Sequence, residues 1–140
     1  MITRRESSLS PNIGSVSISK VQLFSIPVSD PVRARNFYVD ILGFELVREM
    51  QMSPDQRWVQ VRPRGAETSM TLVTWFPSMP AGSLTGLVLE TDDLDAEMLR
   101  LAEVGVVFHD EVSEQPWGRS IVLSDPDGNR LILQSTTVQG

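Results

Sequence analysis

The feature that most constrains the fold is an internal repeat. The segment VQLFSIPVSDPVRARNFYVDILGFELV, residues 21–47, returns in outline as LTGLVLETDDLDAEMLRLAEVGVVFHD, residues 84–110. Three residue pairs keep a constant separation of 62 positions: Asp30 with Asp92, Ala34 with Ala96, and Gly43 with Gly105. A repeat of this period predicts two copies of one supersecondary unit, each of which buries its apolar face against the other.

Each copy begins with alternating apolar residues, which predict a strand, and continues with helical periodicity. An aspartate opens each predicted helix, Asp30 or Asp92, with Pro31 or Asp93 at the first helical position. Aspartate is a strong N-cap residue, and proline is tolerated where the backbone amide has no helical partner. The repeated glycine follows the helix, where a left-handed C-cap residue is expected.

The second part of each copy predicts two strands joined by a tight turn. The segments are RWVQVRPRGAETSMTLVTWF, residues 57–76, and RSIVLSDPDGNRLILQ, residues 119–134, in which RPRG and DPDG form equivalent turns. We therefore predict an α+β fold of two tandem β-α-β-β-β modules, residues 20–76 and 83–136, whose curled mixed sheets form a cleft.

Composition and charge limit the possible functions. The 140 residues suffice for one domain, placed at 19–140, after a polar, Ser-rich segment, 1–18, that is expected to be a flexible tail. The formal net charge of −6 argues against nucleic acid as a partner, and no apolar run has transmembrane length. Cysteine is absent, which excludes disulfides and thiolate catalysis. We expect a cytoplasmic protein.

Two motifs carry a resemblance to a known family. Asp30, Tyr38 and the Gly43-Phe44 pair follow one spacing, and Asp-Pro-Asp-Gly-Asn follows at residues 125–129. Over about residues 20–135 the chain resembles the vicinal oxygen chelate superfamily, which includes glyoxalase I, bleomycin-resistance proteins and extradiol dioxygenases. The resemblance implies paired modules around a cleft, often in a homodimer, and leaves open whether one chain or a swapped dimer closes that cleft.

The resemblance also shows where a metal ion would bind in the metalloenzymes of the superfamily. Their histidine and glutamate ligands fall here on Leu23, Leu72, Gly86 and Ile132, with Thr85 one register before the glycine. None of these residues supplies the imidazole or carboxylate that a divalent ion needs in such a site. A slip of one residue would turn a strand side chain to the opposite face. We therefore expect no metal and no cofactor.

Two titratable residues stand out as candidates for acid–base chemistry. His109, the only histidine, is expected at the end of a strand away from the ligand positions, or else at the cleft rim as a base. Glu90 is expected on the inward face, paired with Arg119 or Arg130, with a raised pKa as a base, or in water at the strand end. Arg119 is a third catalytic candidate, since its guanidinium could bind a carboxylate.

Strand alternation predicts which other side chains share the cleft. The expected ligand-binding residues are Ser25, Trp58, Met70, Thr74, Trp75, Val88, Glu90, Trp117, Arg119, Arg130 and Gln134. Such a pocket, apolar with aromatic edges and a few polar anchors, suits a planar organic molecule. Core packing is the competing interpretation for Met70 and Val88, and a sheet cover or dimer interface is the competing one for Trp58.

The sequence favours a metal-free protein that binds or sequesters a small aromatic or hydrophobic molecule. The main alternative is a metal-independent enzyme of the lyase or isomerase type, which would use Glu90, His109 or Arg119. A metalloenzyme with relocated ligands and a module whose cleft is filled by its own side chains complete the alternatives.

Overall fold

The computed structural model describes residues 17–136, so the tail predicted at 1–18 lies almost wholly outside the described residues. The elements are β1 Leu23–Pro27, α1 Pro31–Asn36, a π-helical turn Phe37–Ile41, β2 Glu45–Ser53, β3 Gln56–Arg62, β4 Ser69–Val73, β5 Thr85–Glu90, α2 Leu94–Glu103, β6 Val107–Gln115, β7 Gly118–Ser124 and β8 Arg130–Thr136. This order confirms two tandem β-α-β-β-β modules.

The eight strands form two open, four-stranded mixed sheets. The strand order is β1-β4-β3-β2 in the first module and β5-β8-β7-β6 in the second. The first strand of each module runs parallel to the last, and the other neighbours are antiparallel. The helix crosses one face of each sheet, so the predicted α+β class is confirmed and each sheet keeps one face free of its own helix.

Aspartate caps begin both helices, with one shift from the predicted positions. The Asp30 carboxylate accepts the backbone amides of Val32 and Arg33, at 3.0 and 3.2 Å. In the second module the cap is Asp93 and not Asp92, because the Asp93 carboxylate accepts a backbone amide three residues further on, at 3.1 Å. Two consecutive aspartates make the first helical residue ambiguous in the sequence, and this contact decides it.

The π-helical turn places Tyr38 in the centre of the core. Its wide turn is closed by the amide of Leu42, which donates to the Phe37 carbonyl at 3.0 Å. Tyr38 is fully buried, and its ring lies 5.2 Å from Phe37 and 5.7 Å from Phe44 between ring centroids. Ala34 and Phe37, which the helical period places on the same apolar face of the first helix, are buried with Tyr38.

A buried polar network, which we call the inter-module latch, joins the two modules. The Tyr38 hydroxyl donates to Asp125 Oδ2 at 2.8 Å. The Asn129 amide nitrogen donates to the same carboxylate and to the Pro27 carbonyl, both at 2.8 Å, and Asn129 Oδ1 accepts the Leu84 amide at 2.9 Å. Asn129 is 0% exposed. The DPDGN turn of the second module is therefore fastened to β1, to the first helix and to the segment before β5.

Burial strongly raises the pKa of Tyr38, and the nearby Asp125 carboxylate raises this pKa further through its charge and its hydrogen bond. Both effects favour the neutral phenol. The latch needs this state, because Asp125 accepts a hydrogen bond from the phenol O–H, which a phenolate lacks.

Replacing Asn129 tests the latch. Asn129→Ala removes both amide donations and leaves the Pro27 carbonyl and the Leu84 amide without their side-chain partner. We expect the free energy of unfolding to fall by about 2 to 4 kcal/mol, since each buried unpaired polar group is costly. Urea unfolding measures the loss. Asn36→Ala, on the exposed end of α1, is the matched control and should change stability by no more than about 0.5 kcal/mol.

A second polar cluster ties the first helix to its own sheet. The Glu49 carboxylate accepts Arg35 Nη1 at 2.7 and 3.0 Å and Arg57 Nε at 2.8 Å, and its side chain is 11% exposed. Burial acts to raise the pKa of Glu49, but the hydrogen bonds from Arg35 and Arg57 outweigh it, so this pKa is lowered.

The lowered pKa gives a pH-dependent contribution to stability. A carboxylate whose pKa is lower in the folded state stabilises that state above the unfolded pKa, and the contribution is lost as pH falls. Glu49→Gln should therefore lower the free energy of unfolding at pH 7. The difference from the parent protein should shrink as pH falls below the ordinary glutamate value of 4.5. Urea titrations at stepped pH measure it, and a difference independent of pH would contradict the assignment.

Candidate ligand-binding site

The sheet side that faces away from the module's helix is called the open face here. Residues paired directly across neighbouring strands point to the same side of a sheet, so the register assigns each side chain to a face. In the first module Ser25, Thr71, Gln60 and Arg48 form one row across all four strands. Trp58 and Met50 pair in the next row of this open face.

Beside the Arg48 guanidinium, the open face of the first module carries neutral hydrogen-bonding groups. The hydroxyls of Ser25 and Thr71 are 3.2 Å apart. Trp58 Nε1 donates to Gln60 Oε1 at 3.1 Å, and Gln60 Nε2 donates to Ser69 Oγ at 2.7 Å. The Trp58 ring is therefore held in a fixed orientation by an amide that is itself held. Such a pre-positioned aromatic surface can stack on a planar ligand without further ordering.

The expected facing of β4 requires correction. Met70 and Leu72 were expected in the cleft, but they pair with Phe24 and Ile26 on the helix side and are buried in the core. Thr71 is the β4 residue on the open face, and Thr74 lies beyond the strand. Every residue of β4 is buried, so the strand lacks the polar–apolar alternation from which facing is read.

The open face of the second module is more apolar. One row across its four strands consists of Val88, Ile132, Val122 and His109. His109 was expected away from the ligand positions, yet it shares this row with Ile132. The β6 register is regular from Val107 to His109, and an irregularity follows between His109 and Ser113. The imidazole Nε2 lies 2.5 Å from Ser124 Oγ on the same face.

Glu90 lies on this open face in register with Gln134, and it is exposed. Its carboxylate accepts the backbone amide and the hydroxyl of Thr136, both at 2.9 Å. Neither of the expected arginine partners, Arg119 or Arg130, pairs with it. The structure thus agrees with the solvated strand-end interpretation. Arg130 stands in register with Ser124 at the opposite end of the face.

Arg119 points away from the open face. Its guanidinium bonds both oxygens of Asp95 on α2, at 3.1 and 3.2 Å, and Glu114 at 3.1 Å. These hydrogen bonds, from Asp95 first and Glu114 second, raise the pKa of Arg119. Arg119 was expected in the cleft. Because Asp95 lies on α2, which covers the helix side of the sheet, the Arg119 side chain is directed to that side instead.

The remaining aromatic candidates lie at edges. Trp117 is 59% exposed in the tight turn between β6 and β7. Trp75 follows β4 and is half-buried, with its ring 6.2 Å from Phe76. The structure therefore gathers Ser25 and Trp58 on one open face, and Val88, Glu90, Arg130 and Gln134 on the other.

The register also locates the positions where metalloenzymes of the resembling family carry ligands. Leu23 and Ile132 lie on the open faces, Gly86 falls at the register shift between Thr85 and Leu87, and Thr71 takes the β4 position that the sequence had assigned to Leu72. Within residues 17–136, no group of three or more histidine, aspartate or glutamate side chains is arranged to hold a metal ion. The donor set at these four positions is one hydroxyl, already bonded to Ser25.

Sequence reasoning missed Arg48, Gln60, Thr71, Val122 and Ser124 as open-face residues. Alternation in β3 and β7 carried the necessary signal, because buried Val59 and Val61 alternate with Trp58 and Gln60. The register shift in β2 between Leu46 and Arg48 hid the corresponding signal for Arg48.

Two tandem β-α-β-β-β modules with open sheet faces define a paired-module α+β protein. The family model of the Glyoxalase/Bleomycin resistance protein/Dioxygenase superfamily matches residues 20–133. The chain belongs to this superfamily, and the resemblance seen in its sequence is confirmed. In the described part of the chain, no helix has the length and apolar content needed to cross a membrane.

Solved structures with high identity share this architecture. TnmS3, an antibiotic binding protein from Streptomyces sp. CB03234, is 51% identical with a TM-score of 0.81, over 88% of this chain and 100% of that one. A glyoxalase/bleomycin resistance protein from the same strain is 52% identical (TM-score 0.72, 81% and 98% covered). A superfamily member from Sphaerobacter thermophilus DSM 20745 is 39% identical (TM-score 0.78, 86% and 99% covered).

Neighbouring substitutions in β4 should separate core from open face. Leu72→Ala leaves a cavity under α1, so we expect the free energy of unfolding to fall by about 2 to 5 kcal/mol. Thr71→Val removes only the hydroxyl contact with Ser25 and should cost about 1 kcal/mol. Urea unfolding measures both. Equal losses would show that the assigned facing of β4 is wrong.

Proposed function

We propose that this protein binds and sequesters a small aromatic or hydrophobic molecule on its open faces, without a metal ion. The observation that carries the proposal is the chemistry of those faces. Oriented Trp58 and neutral hydrogen-bonding groups lie on one, and Val88, Val122 and Ile132 form an apolar row on the other. The 51% identity to TnmS3, an antibiotic binding protein, supports a ligand of natural-product type.

The ligand site in this proposal is completed by a homodimer. The inter-module latch joins the modules through the first helix and the DPDGN turn, and it uses no open-face side chain. Met50 and Val88, each 49% exposed, lie on different open faces of one chain. A second copy that sets its own open faces against these would bury them and enclose a ligand, in the cytoplasmic location expected from the sequence.

One observation favours a metal-independent enzyme as the second candidate. His109 shares a row with Ile132 and contacts the Ser124 hydroxyl, so an imidazole stands on the proposed binding face. Glu90 is held by Thr136, and Arg119 is held by acids on the helix side. His109 is therefore the acid–base group on which this alternative depends.

The binding proposal is tested by calorimetric titration of a panel of polycyclic aromatic antibiotics. We expect at least one compound to bind in the micromolar range or tighter. Trp58→Leu should weaken that binding about tenfold, which corresponds to about 1.4 kcal/mol of lost stacking and burial. Phe24→Leu is the matched control, because Phe24 lies on the helix side of β1 in the same sheet, and it should leave affinity unchanged.

Three outcomes would count against the proposal. They are the absence of any binding tighter than millimolar, equal effects of Trp58→Leu and Phe24→Leu, and stoichiometric metal in the purified protein. Turnover that His109→Gln abolishes while binding persists would favour the enzyme. Sedimentation that shows a monomer at micromolar concentration, with and without ligand, would contradict the dimer.

A further inference from the structure

A cavity of about 410 Å³ lies between the modules at the edge of β5, where Val88 and Glu90 of the open face and Leu89 of the helix side all line it. Leu42 and Phe44 of the first module line it too, together with Leu101, Leu123 and Leu133 of the second. Four of these, Phe44 and the leucines 101, 123 and 133, also belong to the core. The volume falls in the usual range for small-molecule sites, and the lining is mainly apolar.

Equivalent turns of the internal repeat lie at this cavity and at the inter-module latch. On the latch side, the turn residue Asp127 accepts Arg33 Nη2 at 3.0 Å and the backbone amide of Ser29 at 3.2 Å. The turns RPRG, residues 62–65, and DPDG, residues 125–128, are equivalent, so Arg64 occupies the position of Asp127. Arg64 lines the cavity.

The charges of this contact are reversed in the other half of the repeat. The counterpart of Arg33, 62 residues later, is Asp95, which could have paired with Arg64. Asp95 is taken by Arg119 instead, through two hydrogen bonds of 3.1 and 3.2 Å. Arg64 makes no hydrogen bond or ion pair among residues 17–136, and its charge acts only at longer range on Glu45, whose carboxylate is bonded by Arg62.

The two acids that line the cavity are already matched. Glu97 is bonded through both oxygens by Arg100, at 3.0 and 2.6 Å, and the hydrogen bond from Arg100 lowers the pKa of Glu97. The Glu90 carboxylate is bonded by Thr136. Arg64 is therefore the one charged side chain lining the cavity that has no partner within the described residues.

We propose that this cavity is a second ligand site, which binds an amphipathic monocarboxylate. The apolar chain of the ligand lies among the apolar side chains, and its carboxylate bonds the Arg64 guanidinium. The ligand carboxylate thereby pairs with Arg64 in the same way as the Asp127 carboxylate pairs with Arg33 on the latch side. The planar guanidinium suits this role, because its paired N–H groups match the two oxygens of a carboxylate. The cavity shares Val88 and Glu90, at the edge of β5, with the open face of the second module, and its carboxylate contact at Arg64 lies outside that face.

Three probes with one apolar chain and different head groups test the proposal: decanoate, decanol and decyltrimethylammonium. Calorimetry on the full chain should give the tightest binding for decanoate, about tenfold tighter than for decanol, and the weakest for the cation. Arg64→Gln should reduce the affinity for decanoate to that for decanol. Leu89→Phe, which fills part of the cavity, should weaken decanoate and decanol alike.

The matched control is Lys20→Gln, which removes an exposed cation that lies before β1 and does not line the cavity, and which should leave decanoate affinity unchanged. Equal affinity for all three probes, a preference for the cation, or an undiminished affinity in Arg64→Gln would overturn the proposal. A crystal structure with decanoate in which a partner chain fills the cavity would also overturn it, whether or not the open faces bind an aromatic ligand.

Discussion

The arrangement of the two modules depends on one buried amide, that of Asn129. Its nitrogen bonds the Asp125 carboxylate and the Pro27 carbonyl, and its oxygen bonds the Leu84 amide. A buried group that bonds three partners on different segments fixes their relative positions, because a shift of any one segment would strain or break its bond to the shared amide. Tyr38 completes the network from the first helix. The inter-module latch therefore determines where both sheets lie, and with them the open faces on which a ligand is proposed to bind.

The same network explains why the DPDGN turn indicates the fold: its polar side chains hold the two modules together. Its aspartate and asparagine act inside the protein, between the modules, whereas the strand that follows presents Ile132 to the open face. One short segment thus contributes to packing at its start and to the open face three residues later. This separation allows the open face to change while the latch is kept, which suits a superfamily whose members share a fold and differ in chemistry.

The fold could be predicted almost entirely from the sequence, since repeated spacing, helix caps and turn residues are local signals. The candidate site could be predicted only in part. Ser25 and Ile132 lie where alternation placed them, because β1 and β8 run in regular register. Leu72 and Thr71 were interchanged because β4 is buried on both faces. Arg48 follows a register shift in β2, and Arg119 is turned to the helix side by its ion pair with Asp95, 24 residues earlier. These are tertiary effects that a single strand does not encode.

The charge reversal between the two turns has a consequence for how modules recognise each other. If two first modules packed together in the same geometry, Arg64 of one would face Arg33 of the other. Two second modules would likewise set Asp127 against Asp95. Like charges disfavour both arrangements, and only a first module with a second module brings opposite signs together. The two halves of this repeat are therefore no longer interchangeable, and the correct pair is selected by electrostatics in addition to shape.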